Sequence, residues 1–217
     1  MTAIAILGSG NVARALADKL KDSGHKIIIG SRDPRGSAVS EWARVRDVNV
    51  SVTDVSDAAQ SGDVVINGLP GAVSLNVLRG LGPALSGKVL VDIANAVEQG
   101  PDGFAKSLLY PTSSLAEQIQ YTLPQTKVVK TLNTVGPAPL MANPTSLPMP
   151  LSAFLSGNDP EAKDVVADLL FDLGWPREWI IDLGDVVTAR WPESFVLMVR
   201  HLVTALGPVP FGLAIAR

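Results

Sequence analysis

The sequence predicts an α/β fold, namely a doubly wound, mostly parallel sheet with a small C-terminal helical extension. Short apolar runs at residues 3–7, 26–29, 48–52, 63–67 and 88–91 have the length and composition of strands buried on both faces. Segments with apolar residues at helical spacing separate these runs, and glycines often lie at the transitions. In such folds, ligands bind beyond the carboxyl ends of the strands.

The most informative motif lies between the first strand and the first helix. Residues 8–13 have the sequence G-S-G-N-V-A, which fits G-x-G-x-x-G/A. Gly8 permits a tight turn, Gly10 lets a pyrophosphate approach the backbone because no Cβ intervenes, and Ala13 allows close packing of helix on sheet. Gly24 then ends the helix, and the second strand follows. This context predicts a Rossmann-type dinucleotide-binding unit.

The end of the second strand indicates which dinucleotide is bound. NAD-binding proteins usually carry an acidic residue there, which accepts hydrogen bonds from the ribose 2′-OH. This chain has Ser31 and Arg32 instead, a hydroxyl and a planar cation that suit a 2′-phosphate. We therefore expect NADP rather than NAD. The alternative is a glycine turn followed by a surface arginine.

Further along the chain, two more strand ends are expected to line the cofactor cleft. The predicted strands at 63–67 and 88–91 lead into residues 68–72 and 92–96, which would form its other walls. For residues 68–72 the alternative is a plain turn. Between the second and fourth strands we expect helices at 37–45 and 54–59.

The second half of the chain continues the alternation. We expect a helix at 114–121, a strand at 126–132 that leads into the cleft at 133–137, a strand at 151–156, a helix at 159–174 and a last strand at 179–182. Dense prolines at 136–150 argue against helix and predict an ordered loop or lid. We expect an NADP-binding domain at 1–150 and a small part at 151–217 that completes the sheet and the acceptor pocket, the two forming one compact unit.

The C-terminal segment from residue 184 is predicted to be helical and broken at Pro192. Residues 193–206 are apolar on every side of the helix. Such a helix is buried, either in the core of its own subunit or against a partner. We favour the partner, and therefore a homodimer formed through this helix.

Composition excludes several classes of function. The chain has 217 residues, 47% of them hydrophobic, a net charge of −3 and no cysteine. The charge gives no reason to expect nucleic acid or an anionic membrane, and the missing thiols exclude disulfides and thiolate metal sites. No targeting peptide is visible, and the apolar run at 195–206 is short and interrupted by Arg200 and His201. We expect a cytoplasmic protein whose partner is a small-molecule redox acceptor.

The sequence offers no conventional catalytic residues and no metal site. We expect His25 at the surface, His201 on the C-terminal helix, Lys106 in a loop and Lys130 on a core strand. Neither lysine has a partner in the sequence that would mark it as a general acid. Carboxylates are scattered without acid–base pairing. Hydride transfer between two bound cofactors needs positioning and little else. The pattern therefore favours direct hydride transfer with no catalytic side chain.

Four segments together resemble the NADPH-dependent coenzyme F420 reductase family. They are GSGN at residues 8–11, GSR at 30–32, VVKTLNTV at 128–135 and SGNDPEA at 156–162. The resemblance covers essentially the whole chain. It implies a Rossmann domain that binds NADP(H), a C-terminal part that helps to seat the deazaflavin of coenzyme F420, and direct hydride transfer between the two.

The resemblance also implies roles for individual residues. Departures from the family pattern are Ser9 in place of threonine and Ala13 in place of glycine. The residues implied to bind the pyrophosphate are Gly8, Ser9, Gly10, Asn11 and Val12. Those implied to bind the 2′-phosphate are Ser31 and Arg32, with Arg35 as a displaced substitute for a further basic residue of the family. Those implied to line the nicotinamide and acceptor pocket are Leu69, Pro70, Gly71, Ala94, Asn95, Thr134 and Val135.

Two other functions stay open at this point. The chain could be an NADPH-dependent reductase of a flavin, a ferric chelate or a small imine or carbonyl compound. Carbonyl reduction needs a proton donor in the cleft, and suitable Lys, Tyr or His residues are scarce. The other alternative is a non-catalytic NADP-binding sensor.

Overall fold

The computed structural model describes residues 1–46, 49–136 and 138–216, and eight strands of this part form one sheet. The strands in chain order are β1 (Ala3–Leu7), β2 (Lys26–Ser31), β3 (Val50–Asp54), β4 (Val64–Asn67), β5 (Val89–Asp92), β6 (Val97–Gln99), β7 (Ala105–Leu108), β8 (Lys127–Lys130), β9 (Val135–Gly136), β10 (Ala153–Gly157), β11 (Ile180–Asp182) and β12 (Phe211–Gly212).

Helices connect the strands and cover both faces of the sheet. They are α1 (Asn11–Asp22), α2 (Ser37–Arg44), α3 (Val55–Ser61), α4 (Gly71–Gly80), α5 (Gly82–Leu85), α6 (Leu115–Thr122), α7 (Ala138–Met141), α8 (Pro160–Asp172), α9 (Arg190–Ser194) and α10 (Val196–Leu206). Short 3₁₀ turns lie at Pro144–Ser146, Arg177–Trp179 and Val186–Ala189.

The large sheet has the order β11-β10-β8-β5-β4-β1-β2-β3. The strands from β8 to β3 are parallel, β10 is antiparallel to β8, and β11 is parallel to β10. The chain changes direction between β1 and β4, which is the position where such folds bind ligands. The predicted doubly wound, mostly parallel sheet is confirmed.

The core consists of two layers, because side chains alternate across the sheet. From β1, Ile4 and Ile6 face one layer with α1 and α8, while Ala5 and Leu7 face the other with α3 and α6. All four are fully buried, as expected for central parallel strands. The two layers hold the parallel strands in place, so that their carboxyl ends lie side by side.

Most predicted elements are confirmed within two or three residues. Asp54, predicted to start a helix, is instead the N-cap of α3 and accepts hydrogen bonds from the backbone N–H groups of Ser56 (3.1 Å) and Asp57 (3.0 Å). The third strand begins at Val50 rather than Val48, and Val48 itself lies outside the described residues.

Three predictions about local structure are wrong. The proline-rich segment contains one helical turn, α7, which tolerates Pro139 because a first-turn N–H needs no helical partner. Lys106 was expected in a loop but lies on β7 of the hairpin β6–β7, which the sequence did not predict. Pro192 does not break the C-terminal helix, because it lies in the first turn of α9 and Phe195 alone separates α9 from α10.

Helix α10 lies on the surface of the chain. None of its residues is buried, and Met198 and Leu206 are 53% and 57% exposed. The alternative that this apolar helix fills the core of its own subunit is therefore wrong. Within the described ranges no helix combines the length and the apolar character needed to cross a bilayer.

Candidate cofactor-binding site

The glycine turn after β1 is held tightly against the neighbouring strand end. Gly8 has a φ of +113°, which favours glycine, and a Cβ there would lie 2.6 Å from the carbonyl oxygen of Gly68. At Gly10 a Cβ would meet nothing within 4 Å. The backbone of Gly10 therefore faces open space that a pyrophosphate can approach, as binding of a dinucleotide at this turn requires.

Helix α1 presents its N-terminus at this open space. Its N-cap, Gly10, makes no side-chain capping hydrogen bond, and the first turn, which includes Asn11 and Val12, carries no acidic residue. Its backbone N–H groups and positive dipole end are therefore available to an anion. Ala13 is buried behind the turn, which allows the helix to pack closely on the sheet.

A cleft of about 390 Å³ lies beside the glycine turn at the end of β2. The hydroxyls of Ser9 and Ser31 are 3.5 Å apart, which places the turn and the strand end within reach of one phosphate group. Arg32 also lines the cleft and is exposed to it. Arg35 is exposed but is not among the lining residues. The lining consists of Ser9, Arg14, Ser31, Arg32, Asp33, Gly36, Ala38 and Val39.

The loop after β4 forms the next wall. A Cβ on Gly71 would lie 2.0 Å from the backbone carbonyl oxygen of Asn95, so the start of α4 and the loop after β5 are in direct backbone contact. Asn67, the last residue of β4, is bonded to this loop, because its side-chain oxygen accepts a hydrogen bond from the backbone N–H of Leu69 at 3.4 Å. Pro70 is the exposed N-cap residue of α4.

The loops after β5 and β8 are joined by two asparagines. Asn95 donates to the backbone carbonyl of Asn133 at 3.0 Å, and the Asn133 side chain donates to Asn95 Oδ1 at 2.9 Å. Leu132, just before this pair, has a φ of +58°, a costly conformation for a buried leucine. The structure therefore brings together the four loops that the sequence singled out, with Ala94, Thr134 and Val135 buried beside them.

Behind these loops lies a buried ion cluster that sequence reasoning missed. The ammonium group of Lys130 lies 2.8 Å from carboxylate oxygens of both Asp92 and Glu193, and all three side chains are at most 4% exposed. Lys130 also donates to the backbone carbonyl of Ala94. The sequence did not predict these two carboxylate partners of Lys130. Asp92 and Lys130 end adjacent strands, but Glu193 is distant in sequence and gave no signal.

Burial and the neighbouring charges both shift the pKa values of this cluster. Burial alone would lower the pKa of Lys130, but the carboxylates of Asp92 and Glu193 outweigh that effect and raise it. Burial raises the pKa of the Glu193 carboxyl, against the opposing effect of Lys130. Because Lys130 is charged and enclosed, it is a structural cation rather than a proton donor at the cleft.

The histidines lie away from these loops. His25 is buried, with Nε2 2.9 Å from the carboxylate of Asp172, so the prediction of a surface residue is wrong. His201 is exposed on α10 and, with Lys106 and Arg200, borders a separate cavity of about 410 Å³ next to the β6–β7 hairpin. Among the described residues, no group of three or more potential ligands could hold a metal ion.

The fold and the strand-end loops define the chain as an α/β protein of the dinucleotide-binding type. Residues 3–96 match the family described as NADP oxidoreductase, coenzyme F420-dependent. Over 199 residues the chain is 34% identical to the F420-dependent NADP reductase of Methanocaldococcus jannaschii, covering 86% of each protein. The chain belongs to this family, whose cofactors are NADP(H) and coenzyme F420, and it is an NADP-dependent oxidoreductase.

Solved structures agree with this membership. A protein from Arthrobacter sp. FB24, described as a candidate F420-dependent NADP-reductase, superimposes with a TM-score of 0.91 at 39% identity over the full length of both chains. An imine reductase from Streptomyces aurantiacus, with a TM-score of 0.66 at 18% identity, covers 94% of this chain and 63% of its own, and shows the fold alone.

A further curated relative is the metalloreductase STEAP3 of Rattus norvegicus, 29% identical over 86% of this chain. The chain spans 35% of that protein's length. The match therefore concerns one part of a larger protein.

Proposed function

We propose that this protein transfers a hydride directly between NADP(H) and coenzyme F420. The observation that carries the proposal is an unbroken series of contacts between four strand-end loops: Gly8 lies against Gly68, Gly71 lies against Asn95, and Asn95 bonds to Asn133. Family membership supplies the identity of the two cofactors.

In this proposal the adenine half of NADP lies along the glycine turn and the cleft beside it. Backbone groups of residues 8–12 at the start of α1 bind the pyrophosphate, and Ser31 with Arg32 bind the 2′-phosphate. The cleft borders the turn and has a volume of about 390 Å³, which suits a phosphorylated ribose. Arg35, outside the lining, would contribute at most long-range charge.

The nicotinamide and the deazaflavin would lie against the next three loops, formed by Leu69, Pro70, Gly71, Ala94, Asn95, Thr134 and Val135. When bound, the two rings themselves supply hydride donor and acceptor. The loops would position the rings and exclude water. Ala94, Thr134 and Val135 carry no charge and are buried within these loops, which they help to hold in place. No side chain is assigned as a catalytic acid or base.

The remaining proposals concern the whole protein. Residues 1–150 would bind NADP, while residues 151–217 complete the sheet with β10 and β11 and help to form the acceptor pocket. We also propose a cytoplasmic homodimer that associates through α10, with no nucleic-acid or membrane partner.

The test uses purified protein, NADPH deuterated at C4 of the nicotinamide, and authentic coenzyme F420 without oxygen. We expect equimolar loss of NADPH and deazaflavin absorbance, with deuterium recovered at C5 of the deazaflavin. No turnover would remove F420 as the acceptor. Deuterium recovered in solvent would contradict direct transfer.

The STEAP3 match supports one second candidate, NADPH-dependent metalloreduction. The same assay with a ferric chelate, with and without a flavin, distinguishes the two. We favour F420 because the F420-dependent relative matches over 86% of its own length, whereas the metalloreductase matches over 35%. Faster reduction of the ferric chelate than of F420 would reverse this choice.

A further inference from the structure

Arg14 lines the cleft beside the glycine turn, although it does not belong to either motif of the sequence. It is the fourth residue of α1, and helical side chains point toward the helix N-terminus. Its Nε donates to the backbone carbonyl of Ser9 at 3.0 Å. The guanidinium therefore lies over the first turn of the helix and shares the cleft with Ser31 and Arg32.

The charge of Arg14 is not neutralised by a neighbouring acid. Two arginines flank the Trp42 ring: Arg46 at 4.1 Å and Arg14 at 5.8 Å from its centroid. Arg46 forms a two-pronged ion pair with Asp18. Within the described residues, no carboxylate lies in ion-pair distance of Arg14, and its Nε alone makes a hydrogen bond. Because Arg14 lines the cleft, its two outer nitrogens are candidate donors to an anion there.

The cleft also contains an acid, Asp33, whose negative charge offsets that of one arginine. Asp33 lines it, and a Cβ on Gly36 would lie 2.7 Å from the Asp33 carboxylate. Arg32 and Asp33 alone would leave the lining with no net charge. With Arg14 the lining has two cations and one anion, which gives it the positive charge that a phosphate dianion requires.

We propose that Arg14 is a specificity-determining residue for NADP, donating hydrogen bonds to the 2′-phosphate together with Ser31 and Arg32. The inference rests on the proposed binding of the 2′-phosphate at this cleft. Arg14 then takes the role of the further basic residue for which Arg35 is the candidate from sequence. The ligand class is an adenosine carrying a 2′-phosphate.

The experiment measures dissociation constants by calorimetry for 2′,5′-ADP, 5′-AMP, NADP⁺ and NAD⁺. Loss of one charge-assisted contact is worth roughly a factor of ten to a hundred in affinity. We expect Arg14→Met to weaken 2′,5′-ADP and NADP⁺ by about that factor and to leave 5′-AMP and NAD⁺ within about twofold. Arg14→Lys keeps the charge but not the bond to Ser9, and should retain most of the preference.

Two further variants calibrate the result. Arg32→Glu should reduce NADP⁺ binding more strongly than Arg14→Met, since it also reverses a charge. Arg44→Met removes an exposed cation of α2 that does not line the cleft, and should change all four affinities by less than about twofold. Circular dichroism confirms that each variant is folded.

Some outcomes would overturn the inference. An equal loss for phosphorylated and unphosphorylated ligands in Arg14→Met would mean that Arg14 only supports the Ser9 backbone. Unchanged binding of 2′,5′-ADP would exclude the contact altogether. Failure to reduce coenzyme F420 would instead contradict the proposed acceptor and leave these binding ratios intact, so the two proposals fail separately.

Discussion

At the scale of single residues, backbone contacts at glycines set the distances between the strand-end loops of the proposed cofactor site. Gly8 lies against Gly68, and Gly71 lies against Asn95. In both cases neighbouring strand-end loops can approach this closely because the glycine has no side chain. A Cβ at either position would have to displace backbone rather than a flexible side chain. The shape of the proposed nicotinamide position therefore depends on glycines.

Gly71→Ala tests this dependence. Its Cβ would lie 2.0 Å from the carbonyl oxygen of Asn95, so α4 and the loop after β5 must separate. A shift of about 1 Å near reacting groups can cost about a hundredfold in rate. We expect hydride transfer from NADPH to fall by roughly ten- to a hundredfold, with the affinity for 2′,5′-ADP, which lacks the nicotinamide, unchanged.

Gly80→Ala is the matched control, because Gly80 ends the same helix and a Cβ there meets nothing within 4 Å. It should leave both turnover and binding unchanged. Full activity of Gly71→Ala would show that the loops adapt and that their contact does not set the geometry.

The residue scale also shows what the sequence could predict. The G-x-G-x-x-A turn and the Ser31–Arg32 pair were predictable, because backbone conformation and strand ends are local properties. Arg14 was not singled out, because its role depends on a side chain folding back along α1 into a cleft formed by other elements. The Asn95–Asn133 pair likewise joins loops that are separate in sequence.

At the scale of secondary-structure elements, the Lys130 cluster connects three elements behind the cleft. Lys130 ends β8, Asp92 ends β5 directly opposite it, and Glu193 comes from α9. Glu193 also accepts hydrogen bonds from the N–H groups of Leu115 (2.8 Å) and Ala116 (3.3 Å) at the start of α6. A buried charge cluster of this kind holds elements in register, and removing one member leaves the others uncompensated.

Lys130→Met should destabilise the protein by about 3–5 kcal/mol, because two buried carboxylates lose their cation. Urea unfolding at about pH 7 measures the difference from wild type. The folded pKa of Lys130 is raised, so its contribution is complete below the unfolded value of about 10.4 and is lost as pH rises through the folded value. The deficit of the variant should therefore narrow above about pH 10.4.

Lys106→Met is the control, because Lys106 pairs with Glu98 at the exposed surface. Exposed pairs contribute about 0–1 kcal/mol, so its unfolding free energy should stay near that of wild type. If Lys130→Met does not fold, Glu193→Gln, which keeps an acceptor for α6, provides the same comparison with a smaller loss. Wild-type stability in both variants would contradict the role of the cluster.

The strands and long helices were predictable at this scale from apolar periodicity, whereas the β6–β7 hairpin was not. Its strands carry charged and small residues around Gly100 and Gly103, which conceal the alternation expected of a strand. The pairing of Glu193 with Lys130 was not predictable either, because 62 residues lie between them in the sequence and no local pattern connects them.

At the scale of the whole molecule, the C-terminal part is fixed to the rest of the chain by specific contacts. Arg190 donates to the carboxylate of Glu117 at 2.9 Å, close to the bonds that Glu193 makes with α6. Helix α10 follows this anchored segment but packs no residue into the core. Helix α10 therefore follows directly after a segment that is bonded to α6.

The proposed homodimer would place α10 against a second copy of this chain. Leu197, Met198 and Leu206 of this helix are exposed, and large exposed apolar side chains favour an interface. Its sequence contains one charged residue, Arg200, which pairs with Asp102 at 3.0 Å. A neutral apolar face can meet its own copy across a twofold axis without repulsion between like charges.

Sedimentation velocity at micromolar concentration should therefore give twice the mass of the chain. The double variant Leu197→Glu, Met198→Glu should sediment as a folded monomer, because four carboxylates would face one another in the dimer. Tyr121→Glu places a charge on α6 at a residue 87% exposed, and should leave the dimer intact. A monomeric wild-type protein, or a double variant that still dimerises, would exclude α10 as the interface.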